Sequence, residues 1–181
     1  IVYIACSSKQ SGSVNTARVV SEELLKDYPG ASVYCVDSLN ACLGEGALAI
    51  EAAKLAETGI GAEEVFKKVQ AMRKRVNEYC TVHSLEFLRR AGRVKGPAAF
   101  FGNLMGVKPI IVADADGAQA AFKKVKGRQA SFREIVALLK ESIVNPEEQT
   151  IYLAHADCSE EEVEELKALV KAEIPCKEIF V

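Results

Sequence analysis

The sequence has no tryptophan, few aromatic residues and no long apolar run. Without a stretch of about 18 apolar residues, a membrane-spanning helix of the usual kind is excluded. The 23 basic and 25 acidic side chains nearly cancel to a net charge of -2, so neither nucleic acid nor an anionic membrane is the expected partner. Hydrophobic residues still make up 49% of the 181 positions, which predicts a globular chain with an aliphatic core.

The six cysteines form no C-x-x-C pair, and the sequence has only two histidines. This pattern lacks the common zinc motifs, so neither a metal ion nor another cofactor is expected. Most of the cysteines lie in or beside apolar runs, as free thiols do in a reducing cytosol, and this predicts a cytoplasmic protein. Cys6 lies beside a serine-rich turn and is the candidate for a reactive thiol.

A serine-rich turn, Ser7 to Ser13, joins the apolar run Ile1 to Ala5 to a helical pattern that begins near Val14. The hydroxyl groups and the first N–H groups of such a helix are suited to bind a carboxylate or a phosphate. Serine is also a common helix cap, so the spacing by itself supports a plain cap equally well.

Two catalytic or nucleotide-binding signatures are absent, the G-x-x-x-x-G-K-[ST] loop and the G-x-S-x-G elbow. Two alternatives nevertheless stay open on the residues themselves. One is a phosphate-ligand or nucleotide-binding α/β module that uses the serine-rich turn with Arg93. The other is a hydrolase with Ser8 or Cys6 as the nucleophile.

A βαβ unit is predicted around the turn. Val33 to Val36 is a second apolar run, and it ends at Asp37-Ser38. The intervening helix is indicated by apolar residues three and four apart, namely Ala17, Val20, Leu24 and Tyr28. A right-handed crossover places the turn and Asp37 at one carboxyl edge of a parallel sheet, where ligands bind in open α/β folds. Helices near 44–57 and 62–76 and a third strand at 79–83 follow.

The order of predicted strands and helices changes at residue 107. From there, two strands joined by the turn Asp114 to Gly117 precede a helix, a strand, a helix and a last strand. The order ββαβαβ predicts an antiparallel sheet with helices on one face. The prediction is therefore an α/β lobe with part of a Rossmann-like parallel sheet at 1–106, and an α+β lobe at 107–181.

Basic and aromatic residues cluster before this boundary. Arg89, Arg90, Arg93 and Lys95 lie within seven positions, where they either stay solvated at a helix end or bind a phosphate or an acidic partner. Phe100 and Phe101 cannot both face one core stripe. One of them lines a ligand cavity or covers another domain, unless their helix is buried on all sides.

The motifs together resemble the DegV family of bacterial proteins. The shared segments are the S-S-x-x-S-G-S turn at 7–13, Asp37-Ser38 with Gly44-x-Gly46, the S-L-E-F-L-R-R-A-G-R run at 84–93, the G-N-L-M-G-V-K-P-I run at 102–110, and Asp116-Gly117 with Lys126-Gly127. The resemblance implies a carrier that binds a long-chain fatty acid and presents it to a fatty acid kinase, which forms the acyl phosphate. It implies neither catalysis by this chain nor nucleic-acid binding nor stable membrane insertion.

The resemblance also implies the site, residue by residue. The fatty acid carboxylate is expected at Ser8, with Ser7, Ser11 and Gly12 shaping its donors. The apolar pocket for the acyl tail is expected to include Phe87, Phe100, Phe101, Leu104, Met105 and Ile110. Arg93 matches the arginine of the family's G-G-R segment, so the basic residues expected to face the kinase or the carboxylate region are Arg93, Arg90 and Arg89.

The sequence departs from the family pattern at its ends and at three small residues. Ala91, Cys42 and Ser13 stand where Gly, Ser and Thr are common in the family. The family's N-terminal strands and its C-terminal G-x-H-x-G-P-G segment have no counterpart, and neither His83 nor His155 matches that histidine. The chain also begins with Ile1 inside an apolar run, so we expect a shortened chain with an incomplete carboxylate site.

Overall fold

The computed structural model describes residues 1–84, 86, 90–97 and 106–181. In this part of the chain the strands are β1 (Val2–Ala5), β2 (Tyr34–Asp37), β3 (Tyr79–Thr81), β4 (Val94–Lys95), β5 (Val107–Ala113), β6 (Gln119–Lys126), β7 (Thr150–Tyr152) and β8 (Glu178–Phe180). The helices are α1 (Ser13–Leu24), α2 (Cys42–Glu57), α3 (Ala62–Met72), α4 (Arg128–Ser142) and α5 (Glu160–Glu173), with a short 3-10 helix at Pro146–Glu148.

The predicted βαβ unit is confirmed. β1 pairs in parallel with β2, with Ala5 opposite Asp37, and α1 connects the two strands. The serine-rich turn therefore leaves the end of β1 at the same edge of the sheet at which Asp37 ends β2. This edge holds the polar groups described below.

The helix α1 buries a different face from the predicted one. Val20, Leu24 and Tyr28 are at least half exposed, whereas Val14 is fully buried and packs with Ala17 against the strands. The prediction of a helix is correct, but the helix ends at Leu24, and of the four predicted apolar positions Ala17 alone packs against the strands. Contact with a two-stranded sheet covers only a narrow stripe of α1, and that stripe begins one turn earlier than the apolar spacing indicated.

The core of this region lies between β2, α2 and α3. Val36, Leu48, Val65 and Val69 are almost fully buried there, and Ile4 and Phe66 pack against them. Ala52 of α2 is also buried in this core, and its small side chain allows α3 to approach closely. Val65 and Val69 form the buried face of α3, which ends at Met72 rather than at the predicted residue 76.

The chain forms two compact units, and their boundary differs from the predicted one at residue 107. The first unit comprises residues 1–78 and 113–119, and the second comprises residues 79–112 and 120–181. The difference arises at β3, which is antiparallel to β5, with Cys80 opposite Ile111. β3 therefore belongs to the second unit, and its prediction as a strand of the parallel lobe is wrong.

The described residues of the second unit form two sheets rather than the single antiparallel sheet predicted. One has the strand order β3-β5-β6-β4, and the other pairs β7 with β8 in parallel, with Ile151 opposite Ile179. Val136, Ile151, Val170 and Ile174 form a buried core between α4, α5 and the β7–β8 pair. The predicted element order ββαβαβ is correct. The helix α5 connects β7 to β8, and a connection of this length allows the two strands to pair in parallel rather than in the predicted antiparallel way.

Candidate functional site

The serine-rich turn is closed by its own backbone. Ser7 is fully buried, and its N–H donates to the carbonyl oxygen of Asn40 at 2.8 Å. The Ser7 carbonyl oxygen accepts from the N–H groups of Gln10 at 2.9 Å and Ser11 at 3.0 Å. Ser7 is thus the internal anchor of the turn.

Two side chains complete the turn from within. The Ser7 hydroxyl oxygen accepts from the N–H of Lys9, and the Ser11 hydroxyl oxygen accepts from the N–H of Ser13, both at 3.2 Å. Such bonds are typical of serine in turns, where they replace backbone partners. The N–H groups left without a protein partner in the described part of this turn are those of Gly12 and Val14, at the N-terminus of α1.

Asp37 holds Ser8 in place from the neighbouring strand. Its Oδ1 accepts from the N–H groups of Ser8 and Leu39, both at 3.1 Å, and the residue is only 8% exposed. Burial by itself would raise the pKa of this carboxyl. The Ser8 hydroxyl, the two N–H groups and the charge of Arg73 outweigh burial and lower the pKa of Asp37. Asp37 is therefore an ionised organiser of the turn.

A second polar network fixes the loop after β2. Arg73 donates from Nη1 to the Asp37 carbonyl oxygen at 2.9 Å, and Asn40 donates from Nδ2 to the carbonyl oxygens of Ser38 at 2.9 Å and Arg73 at 3.3 Å. Ser38 and Asn40 are buried, and the loop passes through Leu39 at a positive φ of 58°. Each of these bonds satisfies a polar group that burial would otherwise leave unpaired.

The loop between β5 and β6 also contacts the turn. Residues 113–119 belong to the first unit, although the strands on either side of them lie mainly in the second. Gly117, at φ 84°, lies so close to Ser7 and Leu39 that a Cβ atom would be 2.7 Å from the Leu39 Cα. The Gln10 side chain donates from Nε2 to the Gly117 carbonyl oxygen at 3.2 Å. The loop is thus part of the support of the serine-rich turn.

Carboxyl groups surround Cys6 and oppose its use as a nucleophile. Burial raises the pKa of the Cys6 thiol, and the charges of Glu45, Glu78 and Asp37 raise it further, against a bond from the Ser7 backbone that lowers it. Burial also raises the pKa of Glu78, whose Oε2 accepts from the N–H of Ala41 at 3.1 Å, before α2. A thiol in these surroundings has a smaller thiolate fraction than a free cysteine.

The remaining predicted residues fall into two groups. Phe87, Arg89, Phe100, Phe101, Leu104 and Met105 lie outside the described residues. Ile110 is fully buried on β5. Arg90 and Arg93 are exposed, with Arg90 paired to Glu86 at 2.7 Å and Arg93 donating to the Ala91 carbonyl oxygen at 2.8 Å.

Sequence reasoning identified the serines and Asp37 but not the groups that hold them. Asn40, Arg73 and Gln10 carried no recognisable signal, because each acts through a contact that depends on packing between separate segments. Gly117 was recognised only as a turn residue. No helix in the described part of the chain has the length and apolar character needed to cross a membrane.

The whole chain is similar to known proteins. A family model described as "Uncharacterised protein, DegV family" matches residues 1–181. A DegV domain-containing protein of Clostridium perfringens is 38% identical over 181 residues, which is 100% of this chain and 62% of that protein.

Two solved structures agree with the fold. The fatty acid binding structure of a DegV family protein from Thermus thermophilus has a TM-score of 0.84 at 28% identity, and covers 99% of this chain and 62% of that one. DegV, a fatty acid binding protein from Bacillus subtilis, has a TM-score of 0.80 at 29% identity, with the same two coverages. The chain thus spans less than two thirds of the length of each of these three proteins. The predicted fold class, a DegV-like α/β chain with parallel and antiparallel sheets, is confirmed, and the chain belongs to the DegV family.

Proposed function

We propose that this chain binds a long-chain fatty acid, with the carboxylate at the turn Ser7 to Ser13 and the acyl tail in an apolar pocket. Membership of the DegV family supports this function, and so does the fatty acid binding described for the Thermus thermophilus and Bacillus subtilis proteins. The observation that carries the proposal is the rigid serine turn, which holds the Ser8 hydroxyl and the exposed Gly12 N–H group at the start of a helix, where an anion can bind.

The carboxylate requires several donors, because a buried charge without hydrogen bonds is strongly disfavoured. The donors available are the Ser8 hydroxyl and the N–H group of the exposed Gly12 at the start of α1. In the proposed complex, the Ser8 hydroxyl rotates from Asp37 to the ligand, while Asp37 keeps its two backbone donors. Ser7 and Ser11 act by shaping the turn, since their hydroxyl oxygens already accept backbone N–H groups.

The acyl tail requires only an apolar wall, and each buried methylene contributes about 0.8 kcal/mol. A long tail therefore supplies most of the affinity, while the turn selects the head group. Of the proposed wall residues, Ile110 lies in the described part of the chain and is fully buried. The other wall residues proposed are Phe87, Phe100, Phe101, Leu104 and Met105.

The protein would act as a carrier rather than as a catalyst. The raised pKa of Cys6 disfavours a thiolate nucleophile, and the Ser8 hydroxyl faces a carboxylate that is needed to hold the turn. The phosphoryl transfer that gives the acyl phosphate is accordingly assigned to a partner fatty acid kinase.

Denaturing the purified protein and analysing its organic extract by mass spectrometry tests the ligand class. A long-chain fatty acid should be recovered in proportion to the protein, and loading the emptied protein with a fatty acid should restore it. Recovery of a nucleotide or a phosphate ester instead would refute the proposal, as would failure of the emptied protein to take up fatty acid.

The exposed arginines are proposed to face the kinase. Arg90→Glu and Arg93→Glu should slow kinase-dependent formation of acyl phosphate by roughly tenfold, because reversed charges at an interface mainly reduce association. The fatty acid affinity should stay unchanged. Lys26→Glu, which reverses an exposed charge on the first unit, is the control. Equal losses of binding and acyl phosphate formation would assign these arginines to the ligand site instead.

A further inference from the structure

A second polar cluster lies in the second unit, where three elements meet. His83 follows β3 by two residues, Arg128 is the first residue of α4, and Cys158 and Glu162 flank the start of α5. We refer to these four residues as the β3–α5 cluster. None of them takes part in the proposed fatty acid site.

The side chains of the cluster are within bonding distance of one another. Arg128 donates from Nε to Glu162 Oε1 at 2.8 Å and from Nη2 to Cys158 Sγ at 3.2 Å. His83 Nε2 lies 3.8 Å from the same Glu162 oxygen. The donor atoms of His83, Cys158 and Glu162 all lie within 4.8 Å of one another.

We propose that His83, Cys158 and Glu162 bind a Zn²⁺ ion, with a water molecule as the fourth ligand. Imidazole nitrogen, thiolate sulfur and carboxylate oxygen are the ligands that zinc takes in proteins, and three of them leave one position of a tetrahedral site open. Tetrahedral zinc ligands stand about 3.5 Å apart, so the most distant pair of atoms needs to close by about 1.3 Å at most. The His83–Glu162 pair is already close to that spacing.

The surroundings restrain two of the three ligands. Glu162 Oε2 accepts from the N–H of Ser159 at 3.3 Å in the capping box of α5, which leaves Oε1 for the metal. The His83 carbonyl oxygen accepts from Lys108 Nζ at 2.8 Å, which fixes the backbone behind the imidazole. Partners of this kind orient metal ligands and raise metal affinity.

Arg128 is the competitor of the metal. Its guanidinium bonds both Glu162 and Cys158, so it must move away when Zn²⁺ enters and the Cys158 thiol releases its proton to solvent. Among the described residues, the buried Nη1 of Arg128 has no hydrogen-bond partner. The Glu162 and Cys158 charges balance the two charges of Zn²⁺, so the metal can replace the guanidinium without leaving an anion unpaired.

Calorimetric titration of the full chain with Zn²⁺ tests the site, with Co²⁺ as a spectroscopic probe. One metal ion per chain should bind, and Co²⁺ should give thiolate-to-metal charge transfer and the bands of tetrahedral cobalt. His83→Ala and Cys158→Ser should each weaken Zn²⁺ binding by at least about 100-fold. Loss of a residue that only orients a metal ligand weakens binding by about 100-fold at most, so the loss of a ligand itself should reach or exceed that value. His155→Ala and Cys42→Ser, exposed residues outside the cluster, should leave it unchanged.

The Arg128→Met variant distinguishes the proposed three-ligand site from binding of Zn²⁺ to a cysteine thiol alone. This variant should bind Zn²⁺ more tightly than the wild-type chain, because a competing charge is removed. In the wild-type chain, which has two histidines, Zn²⁺ should shift the imidazole NMR signals of His83 and not those of His155, a readout that requires no ligand variant to fold. No saturable binding, binding retained in His83→Ala, or no shift at His83 would overturn the proposal.

Discussion

Gly117 has no room for a side chain in the first unit. Its φ of 84° disfavours any residue with a Cβ atom, and Ser7 and Leu39 occupy the space that a Cβ would take. The tight approach brings the Gly117 carbonyl oxygen to the Gln10 side chain. A side chain added at Gly117 would therefore displace Ser7 and disturb the serine-rich turn.

Gly117→Ala should lower the free energy of unfolding by about 1 to 3 kcal/mol more than Gly59→Ala, measured by urea denaturation. Gly59 is a matched control, because it has the same φ of 84° and nothing within 4 Å of its Cβ position. Both variants carry the backbone strain, and only Gly117→Ala adds the steric contact. Equal losses would show that the loop at Gly117 moves away at little cost.

Residues whose partners are close in the chain could be predicted, and those with distant partners could not. The serines between Ser7 and Ser13 bond within one turn, and Asp37 follows a strand whose pairing the βαβ pattern indicates. Arg73 reaches the Asp37 carbonyl only because α3 packs on β2. The candidate zinc ligands lie at positions 83, 158 and 162, so a search for short cysteine and histidine spacings does not find them.

At the scale of elements, α2 has two glycines in different surroundings. A Cβ atom at Gly44 would lie 2.7 Å from Asn40 Oδ1, on a side chain fixed by two hydrogen bonds from Nδ2, whereas Gly46 has nothing within 4 Å. Gly46→Ala should stabilise the chain by about 0.5 to 1 kcal/mol through helix propensity. Gly44→Ala should destabilise it by about 1 to 3 kcal/mol through overpacking. Denaturant unfolding of both variants measures this, and stabilisation by both would mean that Asn40 is not fixed.

The start of α2 should also respond to pH. Burial raises the pKa of Glu78 above its ordinary 4.5, so the folded chain holds this proton more tightly than the unfolded chain. Stability contributed by the protonated form is present at low pH and is lost as pH rises from 4.5 through the raised pKa. The free energy of unfolding of the wild-type chain should therefore fall relative to that of Glu78→Gln across this window. If the difference in free energy of unfolding between the two chains did not vary with pH, Glu78 would not have a raised pKa in the folded chain.

Element prediction worked for segments with one clear environment and failed for pairings between distant segments. The strands and helices of the βαβ unit follow from apolar runs and helical spacing. β3 was recognised as a strand, but its partner β5 begins at Val107, so spacing could not indicate an antiparallel pair. The exposed face of α1 was predicted to be buried, because the spacing of apolar residues along a helix indicates an apolar stripe but does not indicate which segment, if any, packs against it.

At the scale of the whole molecule, the chain passes from the first unit to the second after Glu78, returns at Ala113, and leaves again after Gln119. The returning segment carries Gly117 and Gln119, and Gln119 donates to the partly buried carboxyl of Glu78. The support of the serine-rich turn therefore comes from segments more than a hundred residues apart in sequence, such as Gln10 and Gly117.

The central claim is that the serine-rich turn recognises the carboxylate of a fatty acid. Calorimetric titration with a fatty acid and with the alcohol of the same chain length tests it most directly, for the wild-type chain and Ser8→Ala. Loss of a hydrogen bond to a charged group costs about 1.5 to 3 kcal/mol, which is roughly a tenfold to 150-fold loss of affinity. Ser21→Ala is the control, because Ser21 lies in the last turn of α1, away from the serine-rich turn. The claim predicts this loss for the acid alone, and an equal loss for both ligands, or none, would contradict it.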